Sequence, residues 1–209
     1  MENIVCLIPA RAGSKRLINK NRLPFVGDKS LLQISIEKAL TVFEKDFVYL
    51  STDSHELSSV GFDYGINVIR RDVNLADDLA TSEDYIADFF KQVECVGLVQ
   101  LHTITPLVGP EYLKEFLSRV IEDERDAYYT VSRTTLECLY RDKPLNFSMD
   151  TKTNSQDLEK VSEINWAFTF WRREAFLRKK DEIGSGTWLN NCGFYNIPRN
   201  ISFAIKTAD

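Results

Sequence analysis

Apolar positions fall along this chain in two rhythms, short solid runs and longer stripes that recur every three or four residues. Ile4–Pro9 is a run rich in β-branched residues that ends at the basic, Gly-containing stretch 11–21, which predicts a buried strand feeding a loop. Leu32, Ile36, Ala39, Leu40 and Phe43 then follow the spacing of an amphipathic helix. Residues 47–50 predict a second strand, Ser51-Thr52-Asp53-Ser54 can cap a helix running through Val60, and 66–69 predict a third strand. Thr81 or Ser82 can cap a helix carrying Tyr85, Ile86, Phe89, Phe90 and Val93, followed by a fourth strand over 96–101. Pro110 suits a first helical turn, with Leu113, Phe116, Leu117, Val120 and Ile121 on one face, and 127–131 read as a fifth strand. Repeated strand-then-helix units predict an α/β fold with a mostly parallel sheet covered on both faces.

After Ser132 the rhythm breaks. Residues from about 133 to 165 are polar and hold no period, which predicts an excursion from the sheet: a lid, an arm or a dimerisation insert. The aromatic-rich stretch 165–171 returns as a strand, and 192–197 and 201–205 are two further strand candidates. With no internal repeat or long linker, 1–209 reads as one domain carrying that insert.

Composition narrows the partners. The chain has 209 residues, 44% hydrophobic and 27% charged, with 9 Gly and 6 Pro, which excludes a disordered or fibrous protein. Its 26 basic and 31 acidic residues leave a net charge of −5, so nothing global favours nucleic acid or an anionic membrane, and any basic site must be local. No apolar stretch approaches the roughly 18 residues of a membrane helix, and the run 4–10 meets Arg11 too soon for a signal sequence. A cytoplasmic protein is expected. Cys6, Cys95, Cys138 and Cys192 have no metal or disulfide spacing, and with His55 and His102 as the only histidines a hard cation would depend on carboxylates.

The loop after the first strand carries the clearest chemistry. Arg11, Lys15, Arg16 and Lys20 surround Gly13 and Ser14 at a strand's carboxyl end, where open α/β sheets bind ligands. Backbone N–H groups of a Gly-Ser turn can cradle phosphate oxygens while Arg11 and Lys15 neutralise charge. The spacing is neither that of a Walker loop nor that of a dinucleotide fingerprint. Charge alone would equally describe a solvated loop.

Residues 8–16, Ile-Pro-Ala-Arg-Ala-Gly-Ser-Lys-Arg, with Lys20-Asn21 and Leu23-Pro24, resemble the nucleotide loop of the acylneuraminate cytidylyltransferases, the CMP-sialic acid synthetase family. The likeness continues through 48–53, Arg71, Leu75-Ala76, Asp78, Ser82 and 101–107, about half of the chain in order. It implies a three-layer α/β/α, Rossmann-like nucleotide-diphospho-sugar transferase fold and transfer of CMP from CTP to an acidic, sialic acid-like sugar with release of pyrophosphate. It also implies Mg²⁺, a homodimer formed through the 133–165 segment, and a further helix after the last strand. By the same likeness Arg11, Ser14 and Lys15 match triphosphate contacts, with Arg11 and Lys15 as catalytic charges. Asn21, Arg71, Ala80 and Ser82 match nucleotide contacts, and Lys20, His102 and Asn165 stand beside the sugar. Simpler readings stay open: Ser82 as an N-cap, Arg71 in an exposed pair with Asp72, His102 as a structural histidine.

Departures from the pattern cluster at the acceptor side. His102 replaces a glutamine, Val108 an arginine and Trp166 a glycine, while Ser155 and Glu163 stand where arginines are frequent. The paired aspartates that hold Mg²⁺ in the family fall on Ala204 and Lys206, which cannot bind a hard cation. The metal is then held differently, Lys206 replaces part of its charge, or turnover is weak or lost. An enzyme, a binding protein on the same fold, and a transferase of another base or sugar are the three outcomes this leaves.

Overall fold

The computed structural model describes residues 3–13, 17–75 and 81–205. Seven strands form the central sheet: β1 (Ile4–Pro9), β4 (Val48–Thr52), β5 (Asn67–Arg70), β6 (Gly97–Leu101), β7 (Ala127–Thr134), β10 (Val161–Arg172) and β11 (Cys192–Asn196). Their spatial order is β11-β7-β10-β6-β1-β4-β5. Only β10 runs against its neighbours β6 and β7, and the other pairings are parallel. Two short hairpins stand apart, β2 (Pro24–Val26) with β3 (Lys29–Ser30) and β8 (Leu139–Tyr140) with β9 (Lys143–Pro144).

Helices cover both faces, as the alternation predicts. On one face α1 (Leu31–Leu40), α2 (His55–Asp63) and α4 (Pro110–Glu122) contribute Leu32, Ile36, Leu57, Leu113, Phe116 and Val120 to one core cluster. On the other, α3 (Ser82–Gln92) and α5 (Arg173–Ile183) contribute Ile86, Phe89, Phe90 and Phe176 to a second. This is a three-layer α/β/α architecture. The Cys6 side chain lies wholly inside it, and burial pushes its thiol far above the usual range.

Local chemistry sets where the helices begin. Ser30 and Gln33 form a reciprocal capping box on α1, with bonds of 3.3 and 2.9 Å. Ser54, the last of its polar cluster, caps α2 through the Leu57 N–H at 3.3 Å. On α3 the cap is Thr81, whose N–H and Oγ1 donate to Asp84 at 2.9 and 2.8 Å, so Ser82 is the first helical residue rather than the cap.

Two expectations need correction, and one helix was not expected. Residues 201–205 are not a strand; the Ile205 N–H donates to Ile104 O at 2.8 Å, and Ser202 Oγ bonds Ser132 Oγ at 2.6 Å, ties that a loop makes. The excursion is shorter than 133–165, because β7 runs on to Thr134 and β10 starts at Val161, and the two pair across Val161↔Thr134. Helix α5 lacked a readable stripe, because only Ala175 and Phe176 of its residues are buried.

Candidate active site

Strand β1 lies between β4 and β6, so the chain leaves β1 to one side for β4 and β5 and returns on the other for β6. That reversal opens a crevice at the carboxyl ends of β1 and β6, where doubly wound sheets hold their ligands. Residues 10–13 and 17–21 and the 102–108 segment follow the ends of those strands.

Asn21 joins the two. Its side chain is buried, its Nδ2 donates to Arg11 O at 3.2 Å, and its Oδ1 accepts from Thr103 Oγ1 at 2.8 Å. Ala12 N–H donates to Asp53 Oδ1 at 2.9 Å, which fixes the start of the loop to the end of β4. Arg11, half-buried, therefore emerges between two anchors. Ser14 and Lys15, the expected phosphate contacts, lie outside the described residues, as do Ala80 and Lys206.

Arg71 is buried, which removes the exposed ion pair with Asp72 as an account of it. Its Nε donates to Ser51 Oγ and its Nη2 to Ser51 O, each at 3.2 Å, and its guanidinium lies 4.1 Å from the Tyr85 ring centre. Burial pulls its pKa down, Tyr85 and Asp53 pull it up, and Arg11 lowers it further. Tyr85 is bonded in turn to Gln100 on β6. Arg71, Tyr85 and the exposed Ser82 thus form one wall, with Arg11 close enough to be felt electrostatically.

On the other side, Lys20 reaches Ile205 O with Nζ at 3.4 Å, beside Ala204. His102 donates its backbone N–H to Ala167 O at 3.3 Å, while its buried Nε2 has no partner among the described residues. Burial and the Lys20 charge push its imidazole down to about 4, so it is neutral at physiological pH. Beneath the segment, Lys38 donates to Thr105 O at 3.2 Å; burial lowers its ammonium to about 8, against an upward pull from Glu111. Asn165 is engaged within the fold: Nδ2 donates to Ser132 Oγ at 3.0 Å and Oδ1 accepts the Ala167 N–H at 3.1 Å. These bonds brace the register shift in β10 between Ile164 and Thr169.

Among the described residues no group of three or more His, Cys, Asp or Glu is placed to hold a metal ion. With Ala204 at one of the two matched aspartate positions, those residues do not fit a protein-held Mg²⁺. Nor is any helix among them long and apolar enough to cross a membrane. The sequence alone assigned no site role to Ser51, Tyr85, Gln100 or Thr103. Gln100, polar within the wholly buried strand β6, was the one legible signal of these.

Comparison with known proteins identifies the family. The chain is 29% identical over 215 residues to the N-acylneuraminate cytidylyltransferase of Streptococcus agalactiae serotype III, covering 98% of itself and 51% of that protein. It is 30% identical over 221 residues to the pseudaminic acid cytidylyltransferase of Campylobacter jejuni serotype O:2, covering 99% and 92%. The chain therefore spans about half the length of the streptococcal relatives. Its fold matches that of CMP:2-keto-3-deoxy-manno-octonic acid synthetase complexed with CTP, with a TM-score of 0.67 at 19% identity over 98% of this chain and 93% of that one. A model of the family described as Cytidylyltransferase matches residues 5–185, and the chain belongs to that family.

Proposed function

We propose that this protein transfers CMP from CTP to an acidic 2-keto sugar. The observation that supports the reading is the tether through Asn21, which joins Arg11 after β1 to Thr103 after β6 at the reversal of strand order. A sugar hydroxyl oxygen attacks the α-phosphorus, a new P–O bond forms as the bond to the bridging oxygen breaks, and pyrophosphate leaves with that electron pair. The hydroxyl proton passes to solvent. Such transfer depends on in-line positioning and charge stabilisation. Arg11 and Lys15 serve the leaving phosphates, Asn21, Arg71 and Ser82 the nucleoside, and Lys20 with neutral His102 the sugar acid. Any Mg²⁺ accompanying CTP would be held by phosphate oxygens and water.

The test is pyrophosphate release from each of the four nucleoside triphosphates with a panel of 2-keto sugar acids, titrated with magnesium. CTP-selective, acceptor-dependent release is expected, and a folded Lys15→Ala variant should bind CTP more weakly by calorimetry. The second reading, a nucleotide-binding protein without turnover, draws on Ala204 and predicts CTP binding with no release.

A homodimer acting in the cytoplasm completes the proposal. Its support is the short hairpin region, which exposes Leu136, Leu139, Tyr140, Leu145 and Met149 to solvent, an apolar set that a second copy would cover. Sedimentation should give a dimer, and a monomer at micromolar concentration would count against it.

A further inference from the structure

Helix α1 turns a buried face to the sheet, and one member of that face is a lysine. Its buried residues are Leu31, Leu32, Ser35, Ile36, Lys38 and Ala39, and Lys38 is only 5% exposed. A lysine enclosed in this way gives up the hydration of its ammonium, and an apolar side chain of the same length would hold the helix at least as well. Among the described residues its ammonium makes one hydrogen bond, to Thr105 O at 3.2 Å, so one of three N–H donors is used. A buried charge kept at a cost to the fold points to work done outside the core.

Thr105 belongs to the segment after β6, which is fastened residue by residue. His102 N–H donates to Ala167 O at 3.3 Å, Thr103 Oγ1 donates to Asn21 Oδ1 at 2.8 Å, and Ile104 O accepts from Ile205 N–H at 2.8 Å. Thr105 O accepts twice, from Val108 N–H at 3.3 Å, which closes the turn before α4, and from Lys38. Of these ties the one from Lys38 is made by a charged group, and it reaches the segment from a helix beneath it. Thr105 is fully buried and its hydroxyl has no partner among the described residues, which leaves its carbonyl as the anchor.

We propose that Lys38 is a positioning residue: its ammonium holds the Thr105 carbonyl and so keeps the 102–105 segment in the place from which His102 meets the sugar acid. This rests on the CMP transfer proposed above. A shift of roughly 1 Å in a segment that positions substrate is enough to be felt in binding and rate.

The strength of the tie depends on the charge. Burial lowers the Lys38 ammonium to about 8, against an upward pull from Glu111, whose carboxylate folds back over Gly109 at the start of α4. Helix α1 packs on β1, β3, β4, α2 and α4. Of the other ionisable groups there, Cys6 is a buried, un-ionised thiol, Tyr49 lies against Phe89 on the opposite sheet face, and Lys29 and Tyr64 both bond Glu37. The remaining charges of α2 and α4 are exposed, and His102 in the segment itself is neutral. Above pH 8 the uncharged amine is a weaker donor, and the segment is held less firmly.

The experiment measures kcat and KM for the best acceptor of the 2-keto sugar acid panel, with KM for CTP, from pH 6.5 to about 9 in wild type and Lys38→Met, alongside urea unfolding of both. Methionine keeps the length and loses the donor, so the unfolding midpoint should hold or rise. Acceptor KM at pH 7 should rise about tenfold, while kcat and KM for CTP stay unchanged, because Asn21 still ties Thr103. In wild type the acceptor KM should climb as pH passes 8 and approach that of Lys38→Met, whose own KM stays level. Equal acceptor KM in wild type and folded Lys38→Met overturns the assignment and leaves CMP transfer standing. So does a variant that loses stability and both substrates together, which is the mark of a purely structural lysine. A wild-type acceptor KM that stays level through pH 8 overturns it without recourse to the variant. Absence of pyrophosphate release from every acceptor in wild type overturns the transfer reading, and this role with it.

Discussion

Both sides of the crevice are built from strand ends and the loops that follow them, yet they treat buried polar atoms in opposite ways. Around β1, β4 and α3 such atoms are paired within the fold: Arg71 bonds Ser51 twice and lies on Tyr85, and Asn21 uses both ends of its amide. Around β6 and β10 accumulate the buried side-chain atoms without a partner among the described residues, His102 Nε2, Thr105 Oγ1 and Thr169 Oγ1, together with Trp166 at φ 58°. An unpaired buried polar group destabilises by roughly 1–3 kcal/mol unless a ligand or water completes it. Buried polar atoms beside β1, β4 and α3 are therefore completed within the fold, while those beside β6 and β10 are left to a ligand or water. The same contrast partly divides the sequence, since His102 and Trp166 depart from the family pattern beside β6 and β10, with a further departure at Ala204.

The most severe way to break the contrast is Arg71→Ala. It removes two charge-assisted hydrogen bonds and leaves Ser51 and Tyr85 facing a cavity, so urea unfolding should show a loss of about 4 kcal/mol, with CTP binding lost in any fraction that folds. Stability equal to wild type would mean that the nucleotide wall is not self-supporting. Next comes acid. His102 takes its proton only near pH 4 in the folded chain, whereas an unfolded histidine takes it near 6.5. The unfolded state therefore binds that proton first as pH falls, and stability is full above 6.5 and declines by about 3 kcal/mol towards 4. His102→Asn should flatten that slope in unfolding curves measured from pH 7 to 4, and an unaltered slope would assign it elsewhere. Third, Asn21→Ala cuts the tether and leaves the Thr103 hydroxyl buried, for a loss of about 2 kcal/mol. Because the loop then drifts from the 102–105 segment, KM for both substrates should rise together.

The same division explains what could be read from the chain alone. Ile4–Pro9 followed by a basic loop was legible because a solid apolar run and a charge cluster are local properties. The burial of Arg71 was not, because Arg71-Asp72 looks like a surface pair until α3 brings Tyr85 over it. Helix α5 escaped notice because its inward residues, Ala175, Phe176 and the partly buried Leu177, are consecutive and make no periodic stripe. The stretch 165–171 was rightly placed in a strand, but the register shift that turns Trp166 into the left-handed region depends on Asn165 bonding Ser132, 33 residues away. Residues 201–205 show the reverse error, since an alternating apolar pattern there pairs with no strand and became a loop tied to Ile104, Ser132 and Lys20.

The finest test sets two hydroxyls against each other. Ser51 Oγ accepts from the Arg71 guanidinium, so Ser51→Ala leaves a buried cation short of one acceptor and should destabilise by about 1.5 kcal/mol. Thr169 Oγ1, equally buried, bonds nothing among the described residues, so Thr169→Val keeps the branched shape and removes only an unsatisfied group. Stability should then hold or rise by about 1 kcal/mol. The two variants should thus move the unfolding midpoint in opposite directions with unchanged m-value, which a pair of urea titrations resolves. Acceptor binding separates them again: a hydroxyl kept buried at a stability cost beside Gln100 is expected to serve the ligand, so Thr169→Val should weaken acceptor binding while leaving the CTP affinity intact. If Thr169→Val instead destabilises as Ser51→Ala does, the hydroxyl has a partner inside the fold, and the acceptor side is as complete as the nucleotide side.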